Sequence, residues 1–242
     1  MRYPLCGELP VAVKNNRIIG VECLARWNSP NYGLLSPEYF IHIAENAGFI
    51  DDLTLDIINL ALRESREWES INNSLTLSIN LSALNLQDKN FVEMVKRAIN
   101  VWDAKPEKII FEVTESAMML NPELSLDILV QLNKTGVRCS IDDFGTGYSS
   151  FAYLKKLPVS ELKIDKSFVQ NMDTVKEDAI IASAIVELAH NFDMFVTAEG
   201  VEKLETLEKL SGMNCEYAQG YYIAKPMSKE NFKEWIVNYK TG

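Results

Sequence analysis

The chain has 242 residues, of which 47% are hydrophobic and 24% are charged, so we expect residues 1–242 to form a single domain with a buried core. The longest apolar stretches fall far short of the ~20 residues that a membrane-spanning helix needs. The N-terminus also lacks a signal-peptide pattern, which argues against membrane insertion. The formal net charge of −10 argues against binding a long nucleic acid, because such binding needs many Lys and Arg side chains.

Apolar and β-branched runs alternate with amphipathic stretches along the whole chain, a pattern typical of βα units around a parallel sheet. The predicted strands are residues 9–13, 17–25, 75–81, 108–113, 137–141, 161–164, 194–198 and 215–218. Only residues 14–16 separate the first two strands, so we expect these to form an antiparallel hairpin. The predicted fold is an α/β barrel with one reversed strand near the N-terminus.

Helical patterns fall between nearly all of the strands. The predicted helices are residues 37–47, 53–69, 88–101, 122–135, 149–156, 177–191, 204–211 and 228–239. Ser36 is the predicted N-cap of the first helix, and Pro37 is its predicted first residue.

Polar residues stand at the C-terminal ends of the predicted strands. In chain order they are Glu22, Arg26, Asn80, Glu112, Glu115, Asp142, Asp143, Lys163, Asp165, Glu199 and Gln219. In a β/α barrel these strand ends meet on the face that carries catalytic groups. The sequence therefore predicts one polar site to which seven strands contribute.

Four or five carboxylates brought together would repel one another strongly unless cations were present. An oxygen-rich set with one amide and without Cys or His favours Mg²⁺ or Mn²⁺ over zinc. The adjacent Asp142 and Asp143 favour two ions, as in two-metal phosphoryl-transfer sites. This chemistry suggests hydrolysis of a phosphate ester, and metal ions would let an acidic protein accept a small phosphorylated ligand.

Each of these residues also has a structural interpretation when it is taken alone. Glu22 and Glu112 lie in apolar strands, where an isolated Glu is usually an ion-pair partner. Residues 142–147 could form an ordinary Asp/Gly loop, Lys163 could be solvated, and Gln219 could belong to a turn. These separate interpretations do not explain why nearly every strand end carries such a residue.

Three other features are interpreted as structural. The cysteines are scattered without a CxxC pair, which indicates buried thiols in a reducing cytoplasm; they are Cys6, Cys23, Cys139 and Cys215. His42 and His190 lie within helical patterns and receive no role. An apolar stripe is expected to pack on the barrel or on a second subunit; it consists of Ile180, Ile181, Ala184, Ile185 and Leu188.

Seven ordered segments, spread over residues 10–226, resemble the signature of the EAL-domain family. They are GVECLARW at 20–27, LSINLSA at 77–83, FEVTES at 111–116, IDDFGTGYSS at 141–150, LKIDKSFV at 162–169, TAEGVE at 197–202 and AQGYYIAKP at 218–226. The resemblance implies a TIM-type (β/α)8 barrel with one antiparallel strand. It also implies hydrolysis of one phosphodiester bond of the bacterial second messenger cyclic di-GMP, giving linear pGpG.

The resemblance further implies which residues bind metal. Glu22, Asn80, Glu112 and Asp142 would hold one Mg²⁺ or Mn²⁺ ion, and Asp143 would hold a second.

Two catalytic residues follow from the same resemblance. Lys163 would position the attacking water or stabilise the phosphate, and Glu199 would be the general base or a ligand through water. Substrate would be bound by Arg26, which would grip a phosphate, and by Leu24, Asp165 and Gln219. Glu115 would not touch substrate but would hold the loop 143–150, which resembles the family's link between metal site and dimer interface. A homodimer is therefore expected.

Two positions depart from the family pattern. Cys23 replaces the usual Ala of the Glu-Ala-Leu tripeptide, and a small thiol should fit there. Leu9 precedes Pro10 where family members have Gln, so a substrate contact from that Gln is missing and the leading strand is expected to be weakened.

The alternative function is a receptor that binds cyclic di-GMP, or a partner protein, without turning it over. Family members of that kind generally lack several metal or base residues, whereas this chain keeps them all. A purely structural module would leave the carboxylate cluster unexplained.

Overall fold

The computed structural model describes residues 5–69, 74–147 and 150–239, and within these ranges the strands form one curled ten-stranded sheet and one separate hairpin. In chain order the strands are β1 (Leu5–Glu8), β2 (Val11–Ala12), β3 (Gly20–Ala25), β4 (Trp27–Ser29), β5 (Gly33–Leu35), β6 (Thr76–Asn80), β7 (Ile109–Thr114), β8 (Arg138–Phe144), β9 (Glu161–Ile164), β10 (Phe195–Ala198), β11 (Tyr217–Ala218) and β12 (Met227–Ser228). Each of the eight predicted strands has a counterpart, with ends that shift by up to three residues.

Helices alternate with the strands of the large sheet. They are α1 (Pro37–Asn46), α2 (Ile50–Glu69), α3 (Phe91–Trp102), α4 (Glu115–Met118), α5 (Pro122–Asn133), α6 (Phe151–Leu154), α7 (Lys166–Val169), α8 (Lys176–Asn191), α9 (Leu204–Gly212) and α10 (Lys229–Asn238). Single 3₁₀ turns occupy Asn85–Gln87 and Pro106–Lys108. Within the described ranges, no helix combines the length and the apolar character needed to span a membrane.

Seven neighbouring strands of the sheet, from β3 through β6 to β11, run parallel to one another. Because all seven strands run in the same direction, their C-terminal ends all face the same way. One mouth of the barrel is thus formed by seven strand ends.

The N-terminal segment closes the barrel in the antiparallel direction. β1 pairs with β3, and β2 pairs with β11 at the other end of the sheet. Only Leu9 and Pro10 separate β1 from β2, so the chain itself joins the two ends. Proline has no N–H to donate to a ladder, which accounts for the break at Pro10.

The predicted hairpin with a reversed first strand is confirmed, and its first strand begins earlier than expected. Val11 bridges Ile18 antiparallel, and farther from the turn Glu8 of β1 lies opposite Glu22 of β3. Gly7 permits this close pairing, because a Cβ there would lie 2.7 Å from Cγ1 of Val21.

Two predicted details of the helices differ in the structure. Ser36 and Pro37 occupy the predicted positions at the start of α1, but the Ser36 hydroxyl makes no capping hydrogen bond. The predicted helix 149–156 is reduced to α6, which Ser150 caps by accepting from the backbone N–H of Tyr153 at 3.2 Å. Ser149 lies outside the described residues.

The core fills the space between the sheet and its helices. Phe111 of β7 is fully buried and meets Phe91 of α3 edge to face, with 6.3 Å between ring centroids. The apolar stripe of α8 divides between two environments: Ile185 is buried against the barrel, whereas Ile180 is 57% and Ile181 is 37% exposed. α8 therefore carries an uncovered apolar edge.

Candidate active site

The mouth of the barrel gathers the polar residues that the sequence places at strand ends. Three carboxylates and one ammonium group lie within the strands, namely Glu22 in β3, Glu112 in β7, Asp142 in β8 and Lys163 in β9. Asn80 ends β6, while Glu199 and Gln219 directly follow β10 and β11. The parallel direction of these strands brings all seven to one place.

Lys163 is the centre of this cluster. Its Nζ atom lies 2.7 Å from Oε1 of Glu199, 2.8 Å from Oε2 of Glu112, 3.2 Å from Oε2 of Glu22 and 3.5 Å from Oδ1 of Asp142. Its side chain is only 2% exposed, so the interpretation of Lys163 as a solvated surface residue is wrong. One buried cation is shared by four carboxylates.

Two side-chain amides orient the carboxylates. The Nδ2 of Asn80 donates to Oε1 of Glu22 at 2.8 Å. The Nε2 of Gln219 donates to Oε2 of Glu22 and to Oε1 of Glu199, both at 2.8 Å. Gln219 is 3% exposed, and it fixes two acidic groups instead of lying in an exposed turn.

The cluster shifts the pKa of each group in a direction set by its neighbours. Burial raises the pKa of Glu22, but Lys163 and the two amides outweigh burial and hold it below the usual value. Burial and the charge of Glu22 raise the pKa of Glu112 well above the usual range. Burial, with help from Asp142 and Glu22, raises the pKa of Glu199 to about 8. Burial lowers the pKa of Lys163, but the four carboxylates outweigh it and hold it well above its ordinary value.

A subset of the acidic residues has the geometry of a cation site. One oxygen from each of Asp142, Asp143 and Glu199 lies within 4.8 Å of the other two. The donors are all carboxylate oxygens, which are the ligands that hard divalent cations prefer. The excess of buried negative charge over the single Lys163 also fits the binding of additional cations.

Asp143 takes a backbone conformation that L-residues seldom adopt. Its φ is +52°, and its backbone N–H donates to Oδ1 of Asp142 at 3.0 Å. Burial, the charge of Asp142 and the charge and hydrogen bond of Asp165 raise the pKa of Asp143 to about 6. Asp165 in turn caps α7, where it accepts from the backbone N–H of Ser167 at 3.0 Å.

Glu115 reaches the loop that follows β8. Its Oε2 accepts from the backbone N–H of Gly145 at 3.3 Å and of Gly147 at 3.1 Å. A Cβ at Gly147 would lie 2.7 Å from the carboxylate carbon of Glu115, so a larger residue there would force the Glu115 side chain to shift. Tyr148 and Ser149, in the second half of the loop, lie outside the described residues.

A cavity of about 310 Å³ opens beside the cluster. The predicted site residues that line it are Glu22, Leu24, Asp142, Glu199 and Gln219, and its other lining residues include Glu8, Lys166, Gln170, Glu202 and Tyr221. Arg26 does not line this cavity, and its Nη1 donates to the carbonyl of Ala25 at 3.0 Å.

Glu8 is a residue that sequence reasoning missed. It faces the cavity because β1 pairs with β3 in a register that sets Glu8 opposite Glu22. Burial and the charge of Glu22 raise the pKa of Glu8. The strand that carries it was not predicted, because its four residues are too few to show a clear alternation of apolar and polar side chains.

Comparison with known proteins gives concordant matches over most of the chain. A family model described as "EAL domain" matches residues 10–226. The bifunctional diguanylate cyclase/cyclic di-GMP phosphodiesterase MucR of Pseudomonas aeruginosa is 41% identical over 221 residues, which are 91% of this chain and 32% of that protein. The cyclic di-GMP phosphodiesterase RocR of the same organism is 32% identical over 225 residues, which are 93% of this chain and 57% of that protein.

Solved structures match the fold as closely. The PaMucR phosphodiesterase in its c-di-GMP complex superposes with a TM-score of 0.90 at 39% sequence identity, covering 95% of this chain and 94% of that one. The chain spans only 28–32% of the length of three full-length curated relatives, so the similarity concerns one portion of those proteins.

Proposed function

Because the chain belongs to the EAL-domain family, we propose that it is a metal-dependent phosphodiesterase that hydrolyses one phosphodiester bond of cyclic di-GMP to linear pGpG. The observation that carries this proposal is the cluster of four carboxylates around the buried Lys163, next to an open cavity. The names of relatives at 31–41% identity, several of which are cyclic di-GMP phosphodiesterases, support the choice of substrate.

We assign the cofactor as two Mg²⁺ or Mn²⁺ ions. Glu22, Asn80, Glu112 and Asp142 would hold one ion, and Asp143 would hold the other. When bound, these ions would supply charge that offsets the phosphoryl oxygens and lowers the pKa of water. The oxygen-only donors around Asp142 and Asp143 support ions of this class.

Glu199 is the proposed general base. Its carboxylate takes the proton of the attacking water, and its pKa of about 8 supports a group able to hold a proton near neutral pH. The amide of Gln219 fixes Oε1 of Glu199, so the base is oriented before substrate arrives. Lys163, buried beside Glu199, supplies positive charge to the water and the phosphoryl group as negative charge develops.

The proposed substrate contacts lie around the cavity. Leu24 and Gln219 line it directly. Asp165 interacts with Asp143 and would contact substrate from that position. Arg26 grips a phosphate after leaving the carbonyl of Ala25, a rearrangement that substrate would have to induce.

Turnover of cyclic di-GMP by the purified chain tests the proposal. Reactions with Mg²⁺, with Mn²⁺ and with EDTA are followed by chromatography of pGpG, and metal-dependent pGpG is the expected result. Glu22→Ala is expected to abolish turnover by removing a metal ligand. Glu107→Gln is the matched control, because Glu107 is exposed before the start of β7, at the opposite end of the barrel. Binding of cyclic di-GMP without any product would identify a receptor, and near-normal turnover by Glu22→Ala would contradict the metal assignment.

A homodimer formed through α8 is the proposed assembly. The exposed Ile180 and Ile181 offer an apolar edge. Ile185, on the buried face of the same helix, packs near Gly145 in the loop that follows β8. Light scattering is expected to show a dimer that Ile181→Asp converts to a monomer. A monomeric wild-type chain at micromolar concentration would contradict this assembly.

A cytoplasmic location is also proposed. Cys23, Cys139 and Cys215 are buried and form no disulfide among the described residues, which is the usual state of thiols in a reducing compartment. Cell fractionation tests this location.

A further inference from the structure

Glu8 occupies a functional position that its sequence context does not reveal. Residues paired across an antiparallel ladder point to the same face of the sheet, and Glu8 is paired with Glu22. Both line the cavity of about 310 Å³, so the half-buried carboxylate of Glu8 faces the place where a ligand would sit.

The carboxylate of Glu8 lies near the positive charges of Lys163, Arg26 and Lys166, but it makes no hydrogen bond or ion pair with any of them. Within the described ranges, no hydrogen bond or ion pair joins this side chain to another residue. The carboxylate of Glu22, by contrast, accepts hydrogen bonds from Asn80, Lys163 and Gln219. Like charges directly opposite each other destabilise a strand pair. Glu8 is also absent from the group of Asp142, Asp143 and Glu199 whose oxygens lie close enough to share an ion. An unpaired acceptor facing a cavity is best matched by a ligand that brings hydrogen-bond donors.

The geometry points to Glu8 as a specificity-determining residue that binds the donor edge of a guanine base, an inference that rests on the proposed function. The N1–H and N2–H groups of guanine are adjacent donors, and a carboxylate can accept both at once. A phosphate brings only acceptors and would be repelled. Leu24 and Tyr221, which line the same cavity, offer apolar and aromatic surface to the face of a base.

Kinetics with two nucleotides test this inference. Wild type, Glu8→Gln and the control Glu107→Gln are compared on cyclic di-GMP and on cyclic di-IMP, whose hypoxanthine base lacks the exocyclic amino group. Loss of a charged hydrogen bond is expected to raise the KM of Glu8→Gln for cyclic di-GMP about tenfold, with kcat little changed. Wild type should prefer cyclic di-GMP to cyclic di-IMP, and Glu8→Gln should lose most of this preference, a change that a merely structural role would not produce.

Binding and stability measurements distinguish a failure of the Glu8 inference from a failure of the proposed phosphodiesterase activity. Calorimetric titrations of the same proteins in the Glu199→Gln background report affinity without turnover. Unfolding in EDTA should leave Glu8→Gln at least as stable as wild type, because a like-charge pair has been removed. Equal KM, equal affinity and equal base preference in wild type and Glu8→Gln would overturn the role of Glu8 alone. Absence of turnover with intact binding would overturn the phosphodiesterase and leave Glu8 tested by affinity, whereas absence of any binding would overturn both.

Discussion

At the scale of single residues, the site is organised by charge compensation in a buried place. Lys163 contacts four carboxylates, yet its single positive charge cannot neutralise them all. The pKa of Glu112 and that of Glu199 are raised while the pKa of Glu22 is lowered, so neighbouring carboxyl groups of one cluster differ in their affinity for a proton. Separated pKa values of this kind are typical of sites that carry out acid–base chemistry.

Lys163→Met should destabilise the metal-free protein. Removing the charged partner of a buried ion pair costs about 3–5 kcal/mol, because the remaining charges stay uncompensated. Denaturant unfolding in EDTA measures the loss, and Mg²⁺ should restore more stability to the variant than to wild type. Lys96→Met, an exposed position on α3, is the control. Equal unfolding free energies of Lys163→Met and wild type in EDTA would contradict the compensating role of Lys163.

Glu199→Gln should separate chemistry from binding. The amide has the shape of the carboxylate but cannot take a proton, so turnover of cyclic di-GMP should fall about 10²–10⁴-fold. Affinity for cyclic di-GMP should stay within a few-fold of wild type, as measured by calorimetry with Mg²⁺. If kcat were retained, another group would have to be the base.

At the scale of elements, the loop after β8 connects the proposed metal ligands to the rest of the barrel. Glu115, the first residue of α4, binds two backbone N–H groups of this loop, at Gly145 and Gly147. Asp143, the second-last residue of β8, has a positive φ, a strained conformation that neighbouring contacts must maintain. The position of a proposed metal ligand therefore depends on a carboxylate that itself lies outside the cluster.

Glu115→Ala should lower the apparent affinity for the metal ions without removing a proposed metal ligand. Loss of an outer partner of a metal ligand typically costs about 10–100-fold in affinity or activity. The concentration of Mg²⁺ or Mn²⁺ that gives half-maximal turnover should therefore rise. Glu115→Gln should recover part of the loss, because its carbonyl oxygen can still accept from the loop. Exposed Glu123 on α5 supplies the control Glu123→Ala. Unchanged metal dependence in Glu115→Ala would show that the loop holds its shape without Glu115.

At the scale of the whole molecule, closure of the barrel decides where the site lies. The segment of β1 and β2 pairs with β3 on one side and with β11 on the other. The pairing of β2 with β11 joins strands that are distant in sequence. Opening the barrel there would expose the core and separate the strand ends that carry the site.

The buried thiols should report this opening. Burial raises the pKa of Cys139 and that of Cys215 to about 12, so few thiolates exist near neutral pH in the folded protein. In a Cys6→Ser variant, a thiol reagent at pH 8 should label these cysteines only at the rate of unfolding, and quickly in denaturant. While opening limits the rate, labelling of the folded protein should depend little on the thiolate fraction. Rapid labelling of the folded protein at pH 8 would contradict a tightly closed barrel.

Much of this molecule could be predicted from its sequence, because periodicity and turn residues are local properties. Period-two and period-3.6 patterns located eight strands and the long helices, and the short turn after Val13 indicated the reversed first strand. Polar residues at successive strand ends indicated the site, since parallel strands present those ends to one face. The four residues of β1 showed no period-two pattern, so neither this strand nor the position of Glu8 was predicted.

The tertiary structure alone decided how the site residues meet. Gln219 binds Glu22 across 197 positions of sequence, and Lys163 reaches Glu22 across 141. No local pattern could indicate that Lys163 is buried among four carboxylates or that Glu8 faces the cavity opposite Glu22. The sequence by itself determined the elements and the chemical character of the mouth, because those depend on neighbouring residues. The structure decided the partners, the charge balance and the pKa shifts, because those depend on distances that exist only after the barrel closes.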